Sequence, residues 1–204
     1  MREIKVFVSS PTDVEHERSR VERVVERLNG QYSGIVRLAC VRWEQKFYEA
    51  RGSFQAQIPE AANCDLVIGI LWSRLGSELP PEMPPMPSGE PYPSGTAYEV
   101  LTAIEQSRLK GKPSVYLFRK TAPAVLPVED EKSRALVNQQ LDRLKAFWGR
   151  FIKTSEGHFK AGYQEFATSD QFEAQLEALL RGWLDERVLK GRPVVWPIAT
   201  KGSP

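Results

Sequence analysis

The segment at residues 65–72, Asp-Leu-Val-Ile-Gly-Ile-Leu-Trp, constrains the fold more than any other because it is apolar without alternation. A strand with one face in water alternates apolar and polar residues, whereas a parallel strand covered on both faces does not. Parallel neighbours need crossover connections, which are usually helices. The segment therefore predicts the central strand of a parallel sheet that carries helices on both faces.

Strand-like and helix-like segments alternate along the chain. The predicted strands are 4–10, 35–43, 65–72, 114–118 and 163–167. The predicted helices that follow them are 10–29, 53–63, 96–109, 130–150 and 168–187. This alternation predicts an α/β, three-layer fold with a five-stranded parallel sheet in the order 2-1-3-4-5. We expect residues 1–187 to form this domain and residues 188–204 to be a linker.

Composition and motifs exclude several classes of protein. Lys+Arg number 28 and Asp+Glu 26, so the net charge is only +2, whereas a dedicated nucleic-acid binder has a strong basic excess. No apolar run approaches the ~18 residues that span a bilayer, and residues 1–10 carry no apolar signal region. Cys40 and Cys64 are too few for a disulfide framework. We expect a cytoplasmic protein without membrane or direct nucleic-acid contacts.

Short motifs that announce common enzyme classes are absent from the sequence. It contains neither GxxxxGK[ST] nor GxGxxG, which argues against a P-loop NTPase and a standard dinucleotide fold. It contains neither HExxH nor GxSxG, and its two histidines, His16 and His158, offer little to a metal site or a catalytic triad. We expect no metal and no resident cofactor.

Two segments have unusual composition. Residues 80–93 hold seven of the fifteen prolines and cannot be helix or central strand. They predict a long ordered loop or lid, and the alternative is a proline-rich ligand for another domain. Residues 15–27 alternate acidic and basic side chains, which predicts a solvated helix face with i,i+4 ion pairs.

Ligands on a sheet of this order bind beyond the carboxyl ends of the strands, where strands 1 and 3 diverge. The loops that follow the first three strands meet there and supply the candidate binding residues, which are Ser9, Ser10, Trp43, Trp72, Ser73 and Arg74. Trp72 can stack on a base or nicotinamide, Ser73 can bond a ribose and Arg74 can meet a phosphate. The alternatives are that Trp72 caps the core and that Ser10 caps the first helix, with Pro11 in its first position.

The segment Ser94-Gly95-Thr96-Ala97-Tyr98-Glu99 opens the helix after strand 3. Gly95 permits close backbone approach, and Thr96 with the free amides of the helix start can bind an anion or a sugar hydroxyl. Helical spacing places Glu99 away from the apolar stripe, where its carboxylate can stabilise a ribosyl oxocarbenium ion or attack the anomeric carbon. The alternative, which spacing alone favours, is a capping box formed by Thr96 and Glu99.

Three blocks of sequence, 4–14, 64–76 and 93–99, resemble the TIR-like effector domain at the N-terminus of bacterial STAND ATPases. The resemblance covers roughly residues 4–187 and implies a flavodoxin/TIR-like fold. Residues 201–204, Lys-Gly-Ser-Pro, are similar to the junction that precedes the ATPase module. The resemblance thus implies that STAND ATPase and sensor regions follow this chain and that the effector domains self-associate in antiviral defence.

The resemblance also implies chemistry. TIR domains that hydrolyse NAD carry their catalytic glutamate on the helix after strand 3, and nucleoside deoxyribosyltransferases carry a nucleophilic glutamate in a similar Gly-Thr-Ala-aromatic-Glu stretch. Glu99 is thus implied to be catalytic and Tyr98 to lie near the substrate ring, with NAD as substrate. The typical TIR signature around the glutamate is absent. A non-catalytic signalling module and a nucleoside or nucleotide N-glycosidase or transferase remain as alternatives.

Overall fold

A computed structural model of the chain describes residues 1–41, 61–124, 130–152 and 162–190. Five parallel strands form one sheet in the order β2-β1-β3-β4-β5, which confirms the predicted flavodoxin-like α/β topology. The strands are β1 Arg2–Ser9, β2 Val36–Val41, β3 Leu66–Leu71, β4 Ser114–Lys120 and β5 Tyr163–Phe166. The central strand β3 is buried along its entire length, as its unbroken apolar sequence predicts.

Four α-helices flank the sheet in the described parts of the chain. They are α1 Glu15–Gln31, α2 Gly95–Lys110, α3 Glu131–Phe147 and α4 Ser169–Arg187. A π-type turn, Trp148–Ile152, extends α3. Most of the helix predicted at 53–63 lies outside the described residues, and its last three residues, Ala61–Asn63, form a 3-10 turn. No helix in the described ranges is long and apolar enough to cross a membrane.

The two faces of the sheet are covered by different helices because successive strand residues point to opposite sides. Ile4, Val6 and Val8 of β1 lie in the core that the sheet forms with α1 and α4. Phe7 of β1 packs instead with Ala103 of α2 on the other face, where α3 completes the layer. The carboxyl ends of β1 and β3 therefore lie between an α1/α4 layer and an α2/α3 layer.

The proline-rich segment lies in a loop without helix or strand that joins β3 to α2. Arg143 of α3 donates to the carbonyl of Pro93 and pairs with Glu78 at 3.5 Å. Arg150 pairs with Glu90 farther along the loop. Within the segment, Tyr92 is buried. The segment thus packs onto the α3 side of the domain as an ordered loop rather than standing free as a ligand.

The start and end of α1 differ from the prediction. Ser10 does not cap the helix, because the chain first makes a 3-10 turn and α1 begins at Glu15 behind Val14, which has no side-chain cap bond. The helix also runs through Asn29 to Gln31. The Asn29 side-chain amide instead bonds both backbone groups of Leu38, at 2.7 and 2.9 Å.

The charged residues of α1 are not a simple solvated face. Arg20 and Arg27 both bind Glu173 of α4, at 2.6 and 3.1 Å, so these ion pairs join two helices instead of linking residues four apart. Glu17 and Arg18 are buried. The prediction of i,i+4 pairing on α1 is therefore wrong for Arg20 and Arg27, because α4 lies against the helix.

Candidate functional site

The first turn of α2 is held by Ser94. Its hydroxyl donates to the Leu75 carbonyl at 2.6 Å and accepts from the Ala97 amide at 3.1 Å, so Ser94 is the N-cap. The predicted capping box is therefore wrong, since it needs Thr96 as the cap. Thr96 instead packs against Gly76, where an added Cβ would lie 2.9 Å from the Thr96 hydroxyl and φ is +99°.

Glu99 reaches across to the end of β1. The Ser9 hydroxyl donates to Glu99 Oε2 at 2.6 Å, in a buried contact between residues ninety positions apart. Ser9 is the last residue of β1 and pairs with Gly69 of β3. Glu99 is 9% exposed, so the prediction that it lies on the side of α2 away from the buried stripe is wrong. Glu99 and Ala103 are four positions apart and so share one face of α2, and both are buried on it.

Burial dominates the electrostatics of this carboxyl. It raises the pKa of Glu99 to about 7, although the hydrogen bond from Ser9 acts in the opposite direction. Water stabilises a carboxylate better than an apolar interior does, which is why burial favours the neutral form. At neutral pH the protonated and ionised forms are both populated. The group can therefore hold or give a proton, or offer a negative charge to an electron-poor carbon.

Asp13 joins the loops after β1 and β3 at the same edge of the sheet. Its Oδ2 accepts from the backbone amide and from the hydroxyl of Ser73, both at 2.9 Å. Its Oδ1 is buried and has no hydrogen-bond partner among the described residues, and the same holds for the Ser10 hydroxyl. Sequence reasoning missed Asp13 as a site residue, although its position after strand 1 put it in a loop at the switch point.

Trp72 lies on the other side of the sheet edge from Glu99. Its ring packs against the α1/α4 core, and its indole Nε1 donates to the Ala122 carbonyl at 2.8 Å. Lys120 Nζ lies 4.3 Å from the ring centroid. One face of Trp72 is therefore covered, and the structure does not bring this ring beside the Ser9–Glu99 pair.

The remaining candidates are scattered. Arg74 is exposed after Ser73, and Gly95 is the first residue of α2, where its amide donates to the Ser77 carbonyl at 3.1 Å. Tyr98 makes an edge-to-face contact with Tyr92 at a ring distance of 5.0 Å, on the side of α2 that the loop covers. Trp43 lies outside the described residues. The described ranges contain no group of three or more His, Cys, Asp or Glu side chains that could hold a metal ion.

A solved structure similar to this chain is FerB, a flavoenzyme NAD(P)H:(acceptor) oxidoreductase from Paracoccus denitrificans, with 16% identity and a TM-score of 0.29. The match covers 91% of this chain and 96% of FerB. No curated protein matches the chain. A family model described as "Domain of unknown function (DUF4062)" matches residues 5–181. Because that range is most of the 204 residues, the chain belongs to the DUF4062 family.

Proposed function

We propose that this chain is a TIR-like effector domain that hydrolyses NAD at the nicotinamide N-glycosidic bond, with Glu99 as the catalytic residue. The observation that carries the proposal is the buried hydrogen bond between Ser9 and Glu99. It places a carboxyl of raised pKa at the carboxyl end of β1, next to β3, which is where sheets of this order bind nucleotides. Perturbed carboxyls in such positions are frequent in active sites.

The chemistry that this carboxyl supports is simple for NAD. The C1′–N bond breaks, its electron pair stays with nicotinamide, and the positively charged nicotinamide ring becomes a neutral leaving group. The ribosyl cation that remains is stabilised by the Glu99 carboxylate. Water adds to C1′ and its proton passes to the carboxylate and then to solvent. Ser9 orients the group through Oε2, and we assign Oε1 to the substrate.

Self-association completes the proposal. In the TIR-like effectors that the sequence resembles, a STAND ATPase and its sensor cluster the effector domains in the bacterial cytoplasm. Clustering would switch on NAD consumption and arrest an infected cell. The partners are then NAD, further copies of this domain and the ATPase region. No resident cofactor enters the reaction, because NAD itself is the substrate.

A nucleoside or nucleotide N-glycosidase is the second candidate. Nucleobases other than nicotinamide leave as poor anions unless a proton reaches them, and a carboxyl with a pKa of about 7 can supply that proton. Competition among NAD, NADP, nucleosides and nucleotides as substrates distinguishes this candidate from the first. Preferred cleavage of a nucleoside would replace NAD in the proposal and leave Glu99 in place.

The test is nicotinamide release from NAD by concentrated protein and by artificially clustered protein. Glu99→Gln and Glu99→Ala should lower turnover at least ~100-fold, as losses of acid–base or charge-stabilising groups do. Glu105→Gln removes the same charge from an exposed position on α2 and should leave turnover unchanged. Unchanged turnover in the Glu99 variants would remove Glu99 from the mechanism. No product from clustered wild-type protein would favour a non-catalytic signalling module.

A further inference from the structure

The loop between β1 and α1 contains two polar atoms that are buried without a partner in the described parts of the chain, Ser10 Oγ and Asp13 Oδ1. Ser10 is only 4% exposed. A buried polar atom without a hydrogen bond destabilises the fold by ~1–3 kcal/mol. Native proteins keep few such groups, and functional sites are among the places where they are kept. The two atoms belong to one short loop at the switch point.

Ser73 fixes the direction of the Asp13 carboxylate. Its amide and hydroxyl both donate to Oδ2, at 2.9 Å each, so Oδ1 is held in place as the oxygen that no other described residue contacts by a hydrogen bond. A ligand that satisfies Oδ1 has to donate a hydrogen bond, whereas the Ser10 hydroxyl can donate or accept. A pair of neighbouring sugar hydroxyls meets both requirements. Arg74 follows Ser73 and is exposed, so a phosphate beside such a sugar would meet a positive charge.

We infer that Ser10 and Asp13 form a subsite for the cis-diol of a ribose. This inference rests on the proposed function, since it takes the ribose to be the adenosine ribose of NAD, while the nicotinamide ribose lies at Glu99. Both atoms are buried in the loop between β1 and α1, so binding requires this loop to shift. The hydrogen bonds that the two atoms gain offset part of the free energy needed for that shift.

The subsite should discriminate between NAD and NADP by the charge of the 2′ substituent. A 2′-phosphate on the adenosine ribose, as in NADP, would place negative charge against the Asp13 carboxylate, and like charges in contact oppose binding strongly. A diol, in contrast, donates to that carboxylate. Asp13 is thus assigned as a residue that selects NAD over NADP.

The experiment measures binding of ADP-ribose and of 2′-phospho-ADP-ribose by calorimetry. Neither probe contains nicotinamide, so the result does not depend on whether the chain cleaves NAD. Wild-type protein should bind ADP-ribose at least ~10-fold more tightly than 2′-phospho-ADP-ribose. Asp13→Asn retains an oxygen for the Ser73 amide and should bring the two affinities within ~3-fold of each other. Asp185→Asn makes the same charge change at an exposed position of α4 and should leave the ratio unaltered.

Ser10→Ala separates ligand binding from folding. It should weaken ADP-ribose binding several-fold while leaving the free protein as stable as wild type or more stable, because it removes a buried hydroxyl that has no partner among the residues the structure describes. A residue with only a structural role would not change binding and stability in this way. Equal affinities of wild type for both probes, no binding of either, or an Asp13→Asn variant with the wild-type ratio would each overturn the inference.

Discussion

At the scale of single residues, burial decides how the Glu99 carboxyl affects stability. Its pKa in the folded chain is about 7 and the ordinary value is 4.5, so between these two values the folded state binds more protons than the unfolded state. Stability therefore falls as pH rises through this window. The contribution is fully favourable below pH 4.5, where both states are protonated, and the loss is complete above pH 7. Ionisation of Glu99 at neutral and higher pH thus lowers the stability of the fold.

Replacing Glu99 by Gln should consequently stabilise the protein at pH 8. The gain should be about 3 kcal/mol, since the pKa rises from 4.5 to about 7 and each unit of pKa corresponds to ~1.4 kcal/mol. It should shrink toward zero near pH 4.5, because Gln resembles the protonated carboxyl and can keep the bond to Ser9. The measurement is urea unfolding of both proteins across pH 4.5–8.

Glu26→Gln is the matched control for this comparison, because Glu26 is an exposed position of α1. Its stability relative to wild type should show little dependence on pH. A stability difference between Glu99→Gln and wild type that stays constant with pH would mean that Glu99 has an ordinary pKa. The proposed acid–base and charge-stabilising role of Glu99 at neutral pH would then lose its electrostatic basis.

At the scale of elements, Ser94 determines where α2 begins and so where Glu99 lies. Its hydroxyl serves the helix amide of Ala97 and the carbonyl of Leu75 in the loop after β3, and the residue is fully buried. Ser94→Ala leaves both of these buried groups without their partner. It should destabilise the protein by ~1–3 kcal/mol and lower turnover, since the first turn of α2 loses its anchor.

Thr168 provides the comparison, because it caps α4 by accepting from the Gln171 amide at 3.2 Å and is exposed. Thr168→Ala should destabilise by about 1 kcal/mol or less and leave turnover unchanged. Thermal unfolding and nicotinamide release of the two variants test this. Equal effects of both substitutions on turnover would show that the α2 anchor has no special relation to the site.

Local sequence patterns predict the elements far better than their contacts. The apolar run of β3 needs only neighbouring residues, and its predicted burial is confirmed. Ser94 and Thr96 are both good caps by type, and the choice of Ser94 depends on a carbonyl nineteen positions away. The Ser9–Glu99 bond spans ninety positions, so no local spacing predicts it.

At the scale of the whole molecule, a buried ion pair joins the α1/α4 layer to the sheet. Glu17 of α1 accepts from Lys120 of β4 at 2.9 Å and from Ser169 of α4 at 2.8 Å. Burial alone would raise the pKa of Glu17, but these hydrogen bonds together hold the pKa below its ordinary value. Sequence reasoning placed Glu17 on a solvated face because its partner is more than a hundred positions away.

Replacing one member of this ion pair should destabilise the fold more than replacing both members. Lys120→Met leaves the Glu17 carboxylate buried without its cation, which should reduce the free energy of unfolding by ~3–5 kcal/mol at pH 7. Glu17→Gln combined with Lys120→Met removes the unpaired charge and should recover most of that loss. Lys145→Met, which breaks an exposed pair with Asp142, should change stability little.

The pH dependence of the same variants tests the cause. Because the folded pKa of Glu17 is lowered, the pair stabilises the fold above the ordinary value of 4.5 and the contribution is lost as pH falls below it. The penalty of Lys120→Met should therefore be largest at pH 7 and shrink as pH falls, because without the lysine burial raises the pKa of Glu17 and the carboxyl takes up a proton. Urea unfolding at pH 7 and pH 4 measures this penalty.

A double variant no more stable than Lys120→Met would show that the lysine acts chiefly through its contact with Trp72. The layers would then be joined by packing on that ring and not by charge.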